Sequence, residues 1–145
     1  MAAEKLSLRV VTPDCVKYDA KTDMVIMRCI TGDLGIMANH APYSAILDYG
    51  VLRILNENIE RKMAVFGGIA QVQDNTVTIL TNDAQWPEDI DRTKAEADRE
   101  EMERHLKENL DAMQIQREQV SMRRTLVQIE VSAYPILSKV EPDDE

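Results

Sequence analysis

The sequence predicts an α+β fold, in which an N-terminal β-sandwich or flattened barrel is followed by an antiparallel two-helix hairpin. Three observations carry this. All five glycines lie before Trp86-Pro87, among short apolar runs punctuated by turn residues. After that point there is no glycine, and apolar residues recur at helical spacing. Charge divides at the same place: residues 1–87 hold ten acids and eight bases, net −2, and residues 88–145 hold sixteen acids and nine bases, net −7. A residue before proline is pushed to extended geometry, so the boundary falls at Trp86-Pro87. Residues 1–87 form the sandwich, 88–139 the hairpin and 140–145 an acidic disordered tail.

In chain order, Leu6, Leu8 and Val10 alternate with polar residues, and Thr12-Pro13-Asp14 turns the chain. Val16 and Tyr18 begin a second strand that ends near Asp19, and Met24 to Ile30 is a third. Gly32 to Pro42 reads as a shaped loop, because its glycines reach positive φ without strain and its proline cannot donate to a ladder. Asp33 and His40 are the polar groups that loop can present. Tyr43 to Leu47 and Val51 to Leu55 flank a turn at Asp48-Tyr49-Gly50. Asn56-Glu57-Asn58 closes a hairpin with Ile59 to Phe66, which ends at Gly67-Gly68. The last hairpin turns at Asp74-Asn75.

The helical part begins with Asp89 as N-cap. Ala95, Met102, Leu106, Leu110 and Met113 fall on one stripe. A second helix spans about Val120 to Tyr134 and carries two opposed stripes: Met122, Leu126, Ile129 and Ala133 on one side, and Val120, Val127, Val131 and Tyr134 on the other. A helix apolar on two sides needs two partners, one of them the first helix and the other either the sandwich or another protein. The hairpin turn lies between Lys107 and Gln119.

Composition excludes several function classes. A net charge of −9 disfavours nucleic acid and a basic patch on anionic lipid. No apolar run is long enough to span a bilayer, and the first residues lack the apolar core of a signal peptide, which predicts a cytoplasmic protein. Cys15 and Cys29 are expected as two buried, reduced thiols. No metal-ligand spacing, phosphate-binding loop or nucleophile motif is present. The charged helix faces read as solvated. An adapter or a subunit of a larger machine fits better than an enzyme active alone.

Val11-Thr12-Pro13, Thr31-Gly32-Asp33-Leu34-Gly35-Ile36, His40-Ala41-Pro42, Gly50-Val51-Leu52-Arg53-Ile54, Gly67-Gly68-Ile69-Ala70-Gln71-Val72, Asn75 to Thr81 and Glu88-Asp89-Ile90-Asp91 together resemble the epsilon subunits of F-type ATP synthases. The matches keep order and spacing over roughly the first two-thirds of the chain. The resemblance implies a ten-stranded sandwich, a helical hairpin and a non-catalytic rotor role in the central stalk, monomeric within the complex. It implies a peripheral position on the cytoplasmic face of the membrane. Partners would be the gamma subunit, the c-ring and, through the hairpin, the alpha and beta subunits. The coupling of proton or sodium flow to ATP synthesis would pass through the chain. Carried over, Asp33 and His40 become c-ring contacts, since ring loops in the family offer arginine to a carboxylate. The alternative is a free-standing cytoplasmic binding adapter.

Two departures stand out. The family commonly has Pro-Gly before the histidine, where this chain has Ala38-Asn39; asparagine also tolerates positive φ. Some bacterial members bind ATP as a regulatory ligand at the hairpin through Ile/Leu-Asp-x-x-Arg-Ala. Here the stretch is Ile90-Asp91-Arg92-Thr93-Lys94-Ala95, making Asp91 and Lys94 the candidate nucleotide ligands, with lysine lacking the planar fork of arginine. The family's hairpin can extend into the catalytic head and inhibit hydrolysis, which makes Arg123 and Arg124 candidate contacts to acidic surfaces there.

Overall fold

The computed structural model describes residues 4–107, 111–133 and 138–139. The strands are β1 (Leu6–Val11), β2 (Val16–Thr22), β3 (Met24–Cys29), β4 (Gly32–Met37), β5 (Tyr43–Asn56), β6 (Ile59–Gln73), β7 (Thr76–Leu80), β8 (Ala84–Gln85) and β9 (Ser138–Lys139). A single 3₁₀ turn, Pro87–Asp89, leads into α1 (Arg92–Leu106) and α2 (Ala112–Ser132). Strand order is β2-β1-β7-β6-β5-β3-β4, with β8 and β9 added on β6. All neighbours are antiparallel except β1 and β7.

The sandwich arises because β5 and β6 pass through both layers. Residues 43–47 and 68–72 pair beside β7, whereas 49–56 and 59–66 pair beside β3 and β8. Turn residues predict a break in the middle of each of these strands, yet both run on. Gly50 is no turn: a Cβ there would come within 2.6 Å of Arg28 Cγ on β3, so glycine serves close strand approach. Gly67-Gly68 is a corner inside β6, with φ of 76° and 120°. Nine strands are therefore seen among the described residues, not the ten expected. Counting the halves of β5 and β6 apart restores ten within residues 6–85.

Three further expectations are corrected. The stretch read as a loop from Gly32 is a strand as far as Met37, paired residue by residue with β3. β2 continues past Asp19 to Thr22. Cys15 is exposed in the β1–β2 turn, while Cys29 is buried, and both are free. The hairpin turns are where the sequence puts them: Glu57 and Asn58 have φ of 52° and 63°, and Asp74 and Asn75 of 50° and 57°, the geometry that matches strand twist. Asn39 takes φ 63°.

The core is aliphatic. Leu6, Leu8 and Val10 of β1, Val25 and Met27 of β3, Ile54 of β5, Met63 of β6 and Val77 and Ile79 of β7 all point inward and are buried. A second, smaller cluster lies outside the sandwich, where Val127 and Val131 of α2 cover Ala64 and Phe66 of β6, edged by Tyr49, Val51 and Ile90. This is why Met63 to Phe66 is buried at every position and loses its alternation. Each such aliphatic side chain contributes roughly 1.5–3 kcal/mol when fully buried.

In the hairpin, Asp91 and not Asp89 caps α1, its carboxylate accepting the Lys94 N–H at 3.1 Å. The second helix starts eight residues earlier than its apolar stripe suggested. Asp111 caps it in a reciprocal box with Gln114. Met113 therefore belongs to α2, and the turn falls between Leu106 and Ala112. Leu110, Tyr134 and the acidic tail lie outside the described residues.

Candidate functional site

An apolar row crosses the outer face of one layer. Ile46 lies opposite Ile69, and Ile69 opposite Leu80, so the three side chains share a face. Ile30 extends the row, its N–H donating to the Ile46 carbonyl at 3.1 Å. Their exposures are 61% for Ile30, 58% for Ile46, 51% for Ile69 and 51% for Leu80. Leu80 is followed across the parallel pair by Val11. The next row on this face, Ser44, Gln71, Thr78 and Arg9, is polar. A contiguous apolar band of this kind marks an interaction surface, not a scatter of single residues. The sequence reading missed it. Its signal was present: Ile46, Ile69 and Leu80 occupy outward positions of strands whose inward positions, Ala70 and Ile79, are already apolar.

Asp33 sits on β4 directly opposite Arg28, with a carboxylate oxygen 3.5 Å from the guanidinium. It also lines a cleft of about 390 Å³ between the sandwich and α2, together with Asp48, Arg123 and Glu130. The adjacent Cys29 thiol is pushed up, first by burial and then by the charge of Asp33. Its folded form thus holds the proton more tightly than the unfolded form. The resulting stability is complete below the unfolded thiol value and is lost as pH rises through the folded one. Iodoacetamide at about pH 8 is expected to modify Cys15 and to leave Cys29 untouched until the chain unfolds. Mass spectrometry of the alkylated peptides checks this.

His40 lies beyond the other end of β4. Its Nδ1 is 2.7 Å from the Ala41 carbonyl oxygen, and its ring meets Tyr43 edge-on at 6.4 Å. The neighbouring Asn39 is pinned by Asn75 and Glu4. The fold therefore does not bring Asp33 and His40 together; the length of β4 separates them.

Asp91 and Lys94 line a cleft of about 450 Å³ between the two helices, with Asp89, Asp98 and Arg124. The Asp91 carboxylate is already engaged as the α1 cap. Arg123 and Arg124 face the sandwich. Arg123 pairs with Asp48 and lies over the Tyr49 ring, 5.6 Å from its centre. Arg124 pairs with Asp83 and lies over Phe66 at 4.2 Å. Among the described residues no helix is long and apolar enough to cross a membrane.

Residues 5–87 match the sequence model of the ATP synthase delta/epsilon chain β-sandwich domain. The chain belongs to that ATP synthase family. The ATP synthase epsilon chain of Caldicellulosiruptor bescii is 33% identical over 128 residues, covering 88% of this chain and 93% of the relative. That of Brevibacillus brevis is 44% identical over 105 residues, covering 72% and 80%. The chloroplastic epsilon chain of Arabidopsis thaliana is 34% identical over 125 residues, covering 86% and 95%. The fold is also that of a chain in the Euglena gracilis mitochondrial ATP synthase OSCP/F1/c-ring structure. There the TM-score is 0.77 at 22% identity, covering 90% of this chain and 82% of that one. Within the family, the apolar row lies in the matched sandwich, whereas the helix-borne candidates, Lys94, Arg123 and Arg124, lie beyond it.

Proposed function

We propose that the chain is the non-catalytic central-stalk rotor subunit of the F-type ATP synthase. It couples proton or sodium translocation through the c-ring to ATP synthesis by being gripped and turned. The observation that carries this reading is the exposed apolar row Ile30, Ile46, Ile69 and Leu80, a surface built to be covered by another protein and outside the cluster that α2 covers. The gamma subunit is its partner. Asp33, exposed at the end of the β3–β4 hairpin next to Ile30, is the c-ring contact on this reading, and His40, the other candidate, is separated from it by the length of β4. The assembled subunit sits peripherally on the cytoplasmic face of the membrane.

Affinity purification of the tagged chain from native membranes tests the proposal. Recovery of alpha, beta, gamma and c subunits is expected. Recovery of unrelated proteins in their place would support the free-standing adapter.

The hairpin is the regulatory part. Deleting residues after Ile90, which keeps Ile90 at the edge of the Ala64–Phe66 cluster, is expected to leave assembly intact and to raise ATP hydrolysis severalfold. Unchanged hydrolysis would mean that the hairpin is no brake. Regulatory ATP would enter the cleft between Asp91, Lys94 and Arg124. Calorimetric heat that vanishes in Lys94→Ala is the signature of that binding.

A further inference from the structure

α2 meets the sandwich through few apolar atoms. Of its side chains only Thr125, Val127 and Val131 are buried, and Thr125 faces Met102 of α1. The polar contacts around them are more numerous and more specific. Arg123 and Arg124 are adjacent in sequence, yet both reach the sandwich, one on each side of the aromatic pair Tyr49–Phe66, whose ring centres are 5.7 Å apart. Each guanidinium has a carboxylate at its edge and a ring beneath it: Asp48 and Tyr49 for Arg123, Asp83 and Phe66 for Arg124. The Asp83 carbonyl accepts the Phe66 N–H at 3.2 Å, so the two residues of the second site are backbone neighbours. One turn further on, Gln128 donates to Gln85 at 2.7 Å.

We propose that Arg123 and Arg124 form a double clasp on the sandwich, and that this clasp, more than the small apolar contact, sets the fraction of chains in which the hairpin is docked. The planar guanidinium suits both halves of the task, because it stacks on a ring while pairing with a carboxylate at its edge. All four charged side chains are partly open to solvent, so salt screens the pairs. Docking is therefore sensitive to ionic strength, and the hairpin comes away with the core of the sandwich intact. Two arginines freed in this way become available to an acidic partner. The clasp is intramolecular and does not depend on the subunit reading, so its test uses the isolated chain.

The test is thiol labelling of the full chain in a Cys15→Ser background carrying Ala64→Cys. Position 64 is fully buried beneath α2, and Cys29 lies in the sandwich core. The introduced thiol reports undocking, and Cys29 reports global unfolding. Raising NaCl from about 0.02 M to about 0.5 M is expected to speed labelling at position 64 severalfold and to leave Cys29 protected. Arg123→Gln with Arg124→Gln should speed it about tenfold at low salt and remove most of the salt response. Asp48→Asn with Asp83→Asn should do the same, and combining all four changes should add little. Labelling at position 64 that neither salt nor the arginine substitutions change, with Cys29 still protected, would overturn the proposal. So would full additivity of the arginine and aspartate substitutions.

Discussion

Gly68→Ala is expected to lower the stability of the sandwich by about 3 kcal/mol, and the melting temperature by roughly 10 °C or more. Two effects add. Gly68 has φ +120°, a conformation that side chains rarely adopt. A Cβ there would also press on the Leu80 carbonyl oxygen and lie 2.9 Å from Thr81 Cα. Both obstacles are backbone and cannot rotate away. Moving them pulls at the Thr81 N–H bond to the Val11 carbonyl, 3.1 Å long, which continues the β1–β7 pairing. Gly32→Ala is the control. Gly32 has φ +124° with nothing within 4 Å of a built Cβ, so it carries the backbone strain alone. Thermal unfolding of both variants should place Gly32→Ala between wild type and Gly68→Ala. Equal losses would mean that the approach of β6 to the β7 end is not constraining.

Ile69→Asp is expected to leave the fold intact and to weaken capture by the gamma subunit about a hundredfold or more. Ile69 points outward, so an aspartate there stays solvated in the free chain. In the complex it would be desolvated at the centre of the row, flanked by Ile46 on one strand and Leu80 on the other. An unpaired charge buried in an apolar contact costs several kcal/mol, and losses of about 2 kcal/mol or more are typical of central interface residues. Gln71→Asp provides the comparison. It lies two residues on along β6, in the polar row of the same face, and should change capture little. Co-purification with gamma and circular dichroism of the free variants separate lost binding from lost folding.

Much of this architecture was legible in the residues. Leu6, Leu8 and Val10 announce a half-buried strand by alternation, and all three are buried. Glu57-Asn58 and Asp74-Asn75 announce tight hairpins, and all four residues take positive φ. Only part of the two-sided α2 was readable: Val127 and Val131 cover the sandwich, whereas Val120 of the same stripe and Leu126 of the other are exposed. Glycine misled the strand boundaries, since its turn chemistry and its close-packing role look alike in sequence. Gly50 and Gly67-Gly68 look like breaks in the sequence, yet they keep β5 and β6 continuous past Arg28 and around a corner. The start of α2 was missed because Ala112 to Gln119 has little apolar periodicity; the Asp111–Gln114 box that fixes it is a capping signal. The apolar row was not legible because it is assembled from β5, β6 and β7. It becomes visible only when register sets Ile46, Ile69 and Leu80 side by side. The clasp on α2 was hidden for the same reason: Asp48 and Asp83 are 75 and 41 residues from their arginines.

The most direct measurement is size-exclusion chromatography with light scattering of the purified chain mixed with the purified gamma subunit of the same synthase. The account predicts an equimolar complex that Ile69→Asp abolishes and Gln71→Asp preserves. Separate elution of the unmodified chain and gamma would contradict it.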